Sequence, residues 1–524
     1  MTLTNERHLA PGFVHTDPEG VHRVLAALES PCYVVATDRG IGLTNEDPGP
    51  AARVLAAVGP LPPERLGSSR FRERHGLRLA YMGGAMAGGI ASEELVEALA
   101  GAGCLGSFGA AGLLPQRVDS ALSRFSRELA GLPWAVNLIH SPSEEALERE
   151  CVELFLAHGV RRVEASAFMD LTPHVVRYRL AGLRRGPDGQ VVIDNHLIAK
   201  VSRVEVAERF LEPAPEAIVA DLVARGLVTP EQAELSRRVP MADDLTVEAD
   251  SGGHTDRRPL TTLFPDILSA RDAVRARRGY TVGVGAAGGI GTPRAAAAAY
   301  AMGADYVVVG SAHQGCVEAG TSPAARRMLA EASSTDVEMA PAADMFEMGV
   351  KLQVLKKGTL FPMRAGRLYE LYRSYDGIEA LPERERVRLE EQILRRPVAE
   401  VWDEVQRYFT RRDPAQLERA SASPRRRMAL LFRWYLGMAS RWAVTGEEER
   451  KADYQIWCGP AMGAFNTWVR GSHLERVEDR RVAEVAGQLM RGAAFTSRVH
   501  QLALAGVRLP ASGTEYRPEA GAVR

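Results

Sequence analysis

Short apolar runs recur eight times between residues 77 and 313, and stretches with helical content separate them. Because the runs are nearly continuous in Val, Ile and Ala, they predict strands buried on both faces, as in parallel sheets. Strand followed by helix, repeated along a chain, predicts either a closed barrel or a doubly wound sheet. The eight runs are residues 77–84, 104–109, 134–140, 160–168, 196–202, 245–252, 281–289 and 306–313.

Two features favour the barrel. The count is eight, and the helix-capping residues Ser92, Ser143 and Thr292 stand just after strand ends. A barrel of this kind takes about 250 residues, so a chain of 524 residues has room for additions. We therefore predict an α/β fold, a (β/α)8 TIM barrel with an added helical cap and an N-terminal extension.

The punctuation of the chain predicts its organisation. Prolines interrupt the first 70 residues, where a single strand is expected from Cys32, and the strand rhythm stops after about residue 335. The predicted parts are an extension at 1–70, the barrel at 71–335 with a helical insertion at about 204–243, a helical cap at 336–454, and a return to the barrel with a C-terminal helix at 455–524.

Composition excludes several classes of function. The net charge of −1 gives no general attraction to nucleic acid or to an anionic membrane. No signal pattern opens the chain, and no apolar run approaches the ~20 residues that cross a bilayer. Five scattered cysteines without a C-x-x-C pair indicate reduced thiols, and no metal-ligand spacing occurs among the histidines. We expect a soluble cytoplasmic protein.

The strongest local signal is a pair of glycine-rich strand ends. Gly288, Gly289 and Gly291 end the seventh run before a helix that opens at Thr292, and the eighth run ends in Gly310–Ser311. Glycines let backbone N–H groups approach a phosphate, and helix N-termini carry a partial positive charge. Two such loops in succession are typical of the barrel phosphate site after strands seven and eight.

A dinucleotide-binding fingerprint is the rival interpretation, because Gly283, Gly285 and Gly288 spell G-x-G-x-x-G. Two of these glycines lie inside the apolar strand rather than in the turn. The nearby acidic residue, Asp305, precedes the next strand instead of ending it. The barrel phosphate loop is therefore the favoured interpretation, and glycines that serve only tight turns are the third.

Three polar residues stand at or inside predicted strands. His254 follows the sixth run and is placed to donate a proton or a hydrogen bond in the barrel mouth. Asn137 and Lys200 interrupt apolar strands, where they suit the hydrogen-bonding edge of a flavin and, for Lys200, the negative charge of its reduced ring. The alternative for Lys200 is a salt bridge in the barrel core, for instance with Glu164.

An arginine-rich stretch in the predicted cap, from Arg425 to Arg433, combines basic and apolar residues. A solvated helix face is the favoured interpretation, and a dock for an acidic partner is the alternative.

The motifs AMAGGIAS, AVNL, AKVS, ADSGGHTD, GAAGGIGT and VGSA, in that order, resemble the nitronate monooxygenase superfamily of FMN barrels. The segments at 344–372 and 453–469 make nearly the whole chain similar to the PfaD family, the trans-acting enoyl reductases of polyunsaturated fatty acid and polyketide synthases. The resemblance implies FMN contacts at Gly84, Ala85, Met86, Asn137 and Lys200, phosphate contacts at Gly288, Gly289, Gly310 and Ser311, and a catalytic role for His254.

The resemblance also implies an activity. NADPH would reduce FMN, and an α,β-unsaturated thioester on an acyl carrier protein would be saturated, with synthase components as partners and a homodimer as an open option. The segment Gly459–Gly463 would return to the edge of the flavin. Two rivals stay open: a flavin oxidase that acts on nitronates, and a flavin-binding scaffold of a synthase without turnover.

Overall fold

The computed structural model describes residues 14–38, 40–140 and 145–521. The predicted cap residue Ser143 lies outside the described residues. The strands are β1 Cys32–Thr37, β2 Gly40–Thr44, β3 Val54–Val58, β4 Tyr81–Gly83, β5 Leu105–Phe108, β6 Trp134–Ile139, β7 Arg162–Ser166, β8 Leu183–Arg185, β9 Val191–Ile193, β10 His196–Val201, β11 Asp244–Glu248, β12 Gly253–His254, β13 Gly283–Ala287, β14 Val307–Val309, β15 Val337–Pro341 and β16 Lys351–Leu355.

The helices surround these strands and also form most of the cap. They are α1 Pro18–Ala26, α2 Ser69–His75, α3 Glu93–Gly101, α4 Pro115–Glu128, α5 Glu145–Ala157, α6 Pro173–Ala181, α7 Val204–Leu211, α8 Glu216–Ala224, α9 Pro230–Ser236, α10 Leu260–Arg278, α11 Pro293–Ala301, α12 Ser311–Gln314, α13 Pro323–Ala330, α14 Phe361–Ser374, α15 Glu383–Arg388, α16 Val398–Arg412, α17 Pro414–Ala422, α18 Pro424–Thr445, α19 Ala461–Val469 and α20 Val482–Leu504.

Eight parallel strands close into a barrel in the order β4, β5, β6, β7, β10, β11, β13 and β14, and β14 pairs with β4. Each overlaps one of the eight apolar runs, so the predicted (β/α)8 barrel is confirmed and the doubly wound sheet is wrong. Gly283 and Gly285 lie within β13. A side chain at Gly285 would strike the ring of Tyr306 at 2.4 Å, which explains a glycine there without a dinucleotide.

The helix boundaries follow local capping chemistry. The hydroxyl groups of Ser92 and Thr292 accept hydrogen bonds from the third residue of their helices, as expected for caps. In the segment between β10 and β11, Thr229 forms a capping box with Gln232 at the start of α9. Within the described ranges, no helix is both long and apolar enough to cross a membrane.

The N-terminal region contains more strand than expected. β1 is the centre of a three-stranded sheet in the order β2-β1-β3, where the sequence suggested one strand. The fully buried Arg498 of α20 links α20 to α1 and to the loops that flank this sheet. Its guanidinium donates to five backbone carbonyl groups, those of Leu25, Ala27, Leu28, Ser30 and Gly59.

The segment after residue 335 begins with strands, so the expected end of the strand rhythm is wrong there. β15 and β16 form an antiparallel pair, and β16 also pairs with β12 from the barrel mouth. The partner strand comes from a loop about a hundred positions earlier, so a local pattern cannot reveal it. The helices α14 to α18 then form the cap, and α20 packs against α11 of the barrel.

Candidate active site at the barrel mouth

Three charged side chains meet at the carboxyl ends of adjacent strands. Lys200 of β10 lies with its Nζ 3.4 Å from Glu248 Oε1 of β11 and 3.7 Å from Glu164 Oε1 of β7. Burial would lower the pKa of Lys200, but the two carboxylates outweigh it and raise the pKa, so the ammonium stays charged. Two anions around one cation leave this cluster with a surplus negative charge.

The cluster bears on the prediction for Lys200. The expected alternative, an ion pair with Glu164, is present, and Glu248 adds a second partner that the sequence did not indicate. The lysine is thus engaged by protein anions. Its contact with a flavin stays a prediction.

The loop after β4 is tied to the same cluster. The backbone N–H of Ala85 donates to Glu164 Oε2 at 2.9 Å. A Cβ at Gly84 would lie 2.8 Å from a methyl group of Val308, so close packing against β14 requires glycine there. The carbonyl of Met86 comes closer still to Gly109, where a Cβ would stand 1.8 Å away. The predicted residues 84–86 therefore line the mouth through their backbone.

Asn137 is buried in β6. Its Nδ2 donates to the carbonyl oxygen of Glu164 at 3.1 Å and to the hydroxyl of Ser166 at 2.9 Å. Both amide hydrogens are thus used by β7. No side chain in the described part of the chain donates to Asn137 Oδ1, so that oxygen remains available as an acceptor.

His254 stands on β12, which the pairing with β16 holds over the mouth. Its Nε2 lies 3.1 Å from Oδ1 of Asp344, a residue in the loop between β15 and β16. Burial would lower the pKa of His254, but the hydrogen bond and the charge of Asp344 outweigh it and raise the pKa. The charges of Glu248 and Lys200 also act on the ring, which connects His254 to the lysine cluster.

The glycine-rich loops after β13 and β14 lie at the same end of the barrel and provide open space. Gly288 and Gly289 have positive φ angles of 86° and 77°. A Cβ at Gly288 would strike the backbone of Ala249 at 2.7 Å, whereas one at Gly289 or at Gly310 would meet no protein atom within 4 Å. The two predicted phosphate loops thus each present a bare backbone. The hydroxyl of Ser311 accepts a hydrogen bond from Gly459 N, so its own proton is free to donate to a ligand.

The chain returns to these loops after the cap. The N–H of Cys458 donates to the carbonyl of Gln353 at 3.3 Å, and the N–H of Gly459 donates to Ser311 at 3.1 Å. Gly252 and Gly459 pass so close that a Cβ at Gly459 would lie 2.8 Å from Gly252 N. The segment Gly459–Gly463 therefore returns to the barrel mouth at Gly459, its first residue. The contact of this segment with a flavin stays a prediction.

The cap arginines are satisfied locally. Arg425, Arg426 and Arg427 lie 3.7, 2.5 and 3.3 Å from Asp376, Glu347 and Glu379, and Arg433 lies 3.6 Å from Glu347. These ion pairs agree with the favoured interpretation of a helix face, and Arg426 and Arg433 share one carboxylate, that of Glu347.

Sequence reasoning missed two members of the site, Glu248 and Asp344. Glu248 is a charged residue in an apolar run, as Lys200 is, and that similarity was a usable signal. Asp344 lies 90 positions from His254, and only the fold brings the two together. The described residues include no group of three or more His, Cys, Asp or Glu that fits a metal ion.

Comparison with known proteins identifies the family. Nitronate monooxygenase matches residues 80–366, more than half of the chain. Residues 10–58 match the N-terminal domain of fatty acid synthase subunit PfaD, and residues 375–454 match the inserted helical domain of acyl-carrier-protein S-malonyltransferase. The chain therefore belongs to the nitronate monooxygenase family, among its PfaD-like members.

Several relatives are similar over most of this chain. A polyunsaturated fatty acid synthase subunit of Thraustochytrium sp. is 48% identical over 487 residues, which cover 91% of this chain and 32% of that protein. Polyketide biosynthesis protein PksE of Bacillus subtilis is 45% identical over 430 residues, 82% of this chain and 56% of that protein. The chain thus spans less than two thirds of either relative.

A solved structure is also similar. It is the enoyl reductase domain of MlnA from the macrolactin biosynthesis cluster of Bacillus amyloliquefaciens. The TM-score is 0.81 at 38% identity, and the match covers 84% of this chain and 100% of that one.

Proposed function

We propose that this protein is an FMN-dependent enoyl reductase of the cytoplasm that saturates α,β-unsaturated acyl thioesters on an acyl carrier protein. NADPH would be the source of the electrons. The observation that carries the proposal is the position of His254, whose pKa is raised by Asp344, at the same end of the barrel as two bare-backbone loops and the partly buried Lys200. The enoyl reductase domain of MlnA, similar over nearly all of this fold, supports it.

The residues present fit FMN. The space over Gly289 and Gly310 suits a phosphate, and the free hydroxyl proton of Ser311 would donate to it. The positive φ of Gly288 lets the loop turn beneath that space. Asn137 Oδ1 and the backbone at Gly84, Ala85 and Met86 would contact the ring system, and Lys200 would lie at its edge.

The proposed reaction is the addition of a hydride and a proton across a C=C bond. Bound FMN, once reduced, would supply the hydride for Cβ. Negative charge then develops on the thioester oxygen, and His254, as a cation, would donate a hydrogen bond to it. Lys200 and Glu248, 3.4 Å apart, would add a positive and a negative charge close to this site.

The cap and the relatives support a carrier-bound substrate. Residues 375–454 match a helical domain found in an enzyme that acts on an acyl carrier protein, and the relatives belong to synthases. A small nitronate would not need a cap of this size. We assign no docking surface to the Arg425–Arg433 stretch, because those arginines already face carboxylates.

One assay tests the proposal against its two rivals. The purified protein, checked for bound FMN by absorbance, receives NADPH and a crotonyl thioester on a carrier protein under anaerobic conditions. We expect a butyryl product. Oxygen consumption with a nitronate, without thioester reduction, would identify an oxidase and overturn the proposal. Bound FMN with neither activity would identify a scaffold and overturn it as well.

The variant His254→Ala tests the proposed catalytic residue. It should retain FMN, since no proposed phosphate contact is altered, and thioester reduction should fall by about 10²- to 10⁴-fold. His473→Ala is the matched control, because His473 Nε2 also lies 3.1 Å from a carboxylate, Glu484 of the outer helix α20. Full activity in His254→Ala would refute the assignment.

A further inference from the structure

Asp344 occupies an unusual place in the molecule. It lies in the loop between β15 and β16, outside the barrel sequence, yet its Oδ1 is 3.1 Å from His254 Nε2. The strand pairing fixes this approach, since β12 and β16 place His254 opposite Leu352. The site thus contains a carboxylate from the segment that leads into the cap.

The hydrogen bond restricts what His254 can do. When Nε2–H donates to Asp344, a neutral ring has an unprotonated Nδ1, which only accepts. Nδ1 becomes a donor in the imidazolium form, in which both nitrogens carry protons. A ring held in this way can donate to a developing oxyanion only if it is charged.

We propose that Asp344 is the positioning residue of His254: it fixes the ring by Nε2 and keeps it as a cation, so that Nδ1–H faces the substrate as the donor. The inference deepens the proposed function and rests on it in one respect, the identity of the substrate that receives the hydrogen bond. The geometric part of the inference, that Asp344 holds Nε2 of His254, rests on the observed 3.1 Å contact.

The surrounding charges agree with this role. The groups that act on His254 are Asp344 and Glu248, which favour the cation, and Lys200, which opposes it. Burial would raise the pKa of Asp344, but the hydrogen bond to His254 and the charge of that ring, with a smaller contribution from Arg433 on α18, outweigh it and keep that pKa below the usual value.

The test measures His254 directly. In protein labelled with 13C at the histidine Cε1 atoms, the twelve histidine signals are titrated by NMR, and the variant His254→Gln identifies the signal of interest. We expect Asp344→Asn to lower the titration midpoint of His254 and to leave the other signals unchanged. Glu484→Gln is the matched control, since it removes the carboxylate of the His473 pair at the same distance.

A kinetic measurement checks the consequence. In Asp344→Asn, kcat for the thioester at pH 8 should fall on the order of 10- to 100-fold, with KM little changed and the alkaline limb of the pH profile moved to lower pH. Glu484→Gln should match the wild type. A merely structural role for Asp344 would lower the yield of folded protein without moving the pH profile.

The outcomes separate the two proposals. A His254 midpoint unchanged in Asp344→Asn overturns the inference, whether or not the enzyme reduces thioesters. A lowered midpoint together with an inactive wild type supports the role of Asp344 and refutes the proposed function. Should Asp344→Asn fail to fold, Asp344→Glu keeps the carboxylate and is expected to retain the raised midpoint; a lowered midpoint there overturns the inference.

Discussion

The two ends of the barrel each contain buried charges, and they differ in how well those charges are compensated. At the amino end of β11, Asp244 pairs with Arg74 at 2.9 Å and Asp243 pairs with Arg179 at 2.6 Å. At the carboxyl end of the same strand, Glu248 shares Lys200 with Glu164. Asp243 and Asp244 each have an arginine of their own, whereas Glu164 and Glu248 share a single lysine.

The hydrogen bonds differ in the same way. Asp243 also accepts from the backbone N–H of Leu197, whereas the buried Glu164 Oε1 has no hydrogen-bond partner in the described ranges. A buried polar atom without a partner is costly, so native proteins retain few of them. We therefore assign the amino end to stability, whereas at the mouth, where a ligand is proposed to bind, Glu164 Oε1 has within the described residues only its 3.7 Å ion pair with Lys200.

The histidines repeat the contrast. His75 and His254 both face an aspartate, at 2.8 and 3.1 Å. His75 is fully buried, and the effect of burial outweighs Asp244 and lowers its pKa. The side chain of His254 is 31% exposed, and there Asp344 outweighs burial and raises the pKa. The same pair of residue types thus shifts the histidine pKa down at one end of the barrel and up at the other.

The largest expected effect comes from the amino end. Asp243→Asn leaves the fully buried Arg179 without its counter-charge, and the free energy of unfolding should fall by about 3–5 kcal/mol. Denaturant unfolding followed by tryptophan fluorescence measures it. The control, Asp221→Asn, breaks an exposed pair with Arg225 and should cost less than about 1 kcal/mol. Equal losses in the two variants would contradict the assignment of the amino end to stability.

A smaller effect is expected at the mouth. Glu164→Gln retains an acceptor for Ala85 N–H and relieves the surplus charge near Lys200, so stability should change by no more than about 1 kcal/mol. If FMN binds as proposed, its reduction potential should rise, because a nearby negative charge that opposes reduction is gone. Spectroelectrochemistry measures the potential. A stability loss as large as that of Asp243→Asn would remove the distinction between the two ends.

Features of this molecule that depend on residues close together in the chain could be predicted from the sequence, and those that depend on distant residues could not. Strand burial, capping and glycine turns are local, so all eight barrel strands and the caps at Ser92 and Thr292 were predictable. The polarity of Lys200 in an apolar strand signalled a partner, and Glu164 was one candidate. The β12–β16 pairing and the contact of His254 with Asp344 depend on segments far apart in the chain. No local pattern encodes them.

The smallest expected effect is on the pH dependence of stability, which compares His254 and His75 most directly. An unfolded histidine titrates near pH 6.5. His254, with its pKa raised, stabilises the fold below that pH, and this contribution disappears as the pH rises through the folded pKa. His75, with its pKa lowered, acts oppositely, since the unfolded chain binds its proton first and stability is lost as the pH falls.

The destabilisation caused by His254→Gln should therefore be greatest in acid, and that caused by His75→Gln greatest at neutral pH. Unfolding midpoints from pH 5 to 8 measure how the destabilisation in each variant changes with pH. A change of the same sign in both variants would show that the two histidine–aspartate pairs do not differ in the direction of their pKa shifts.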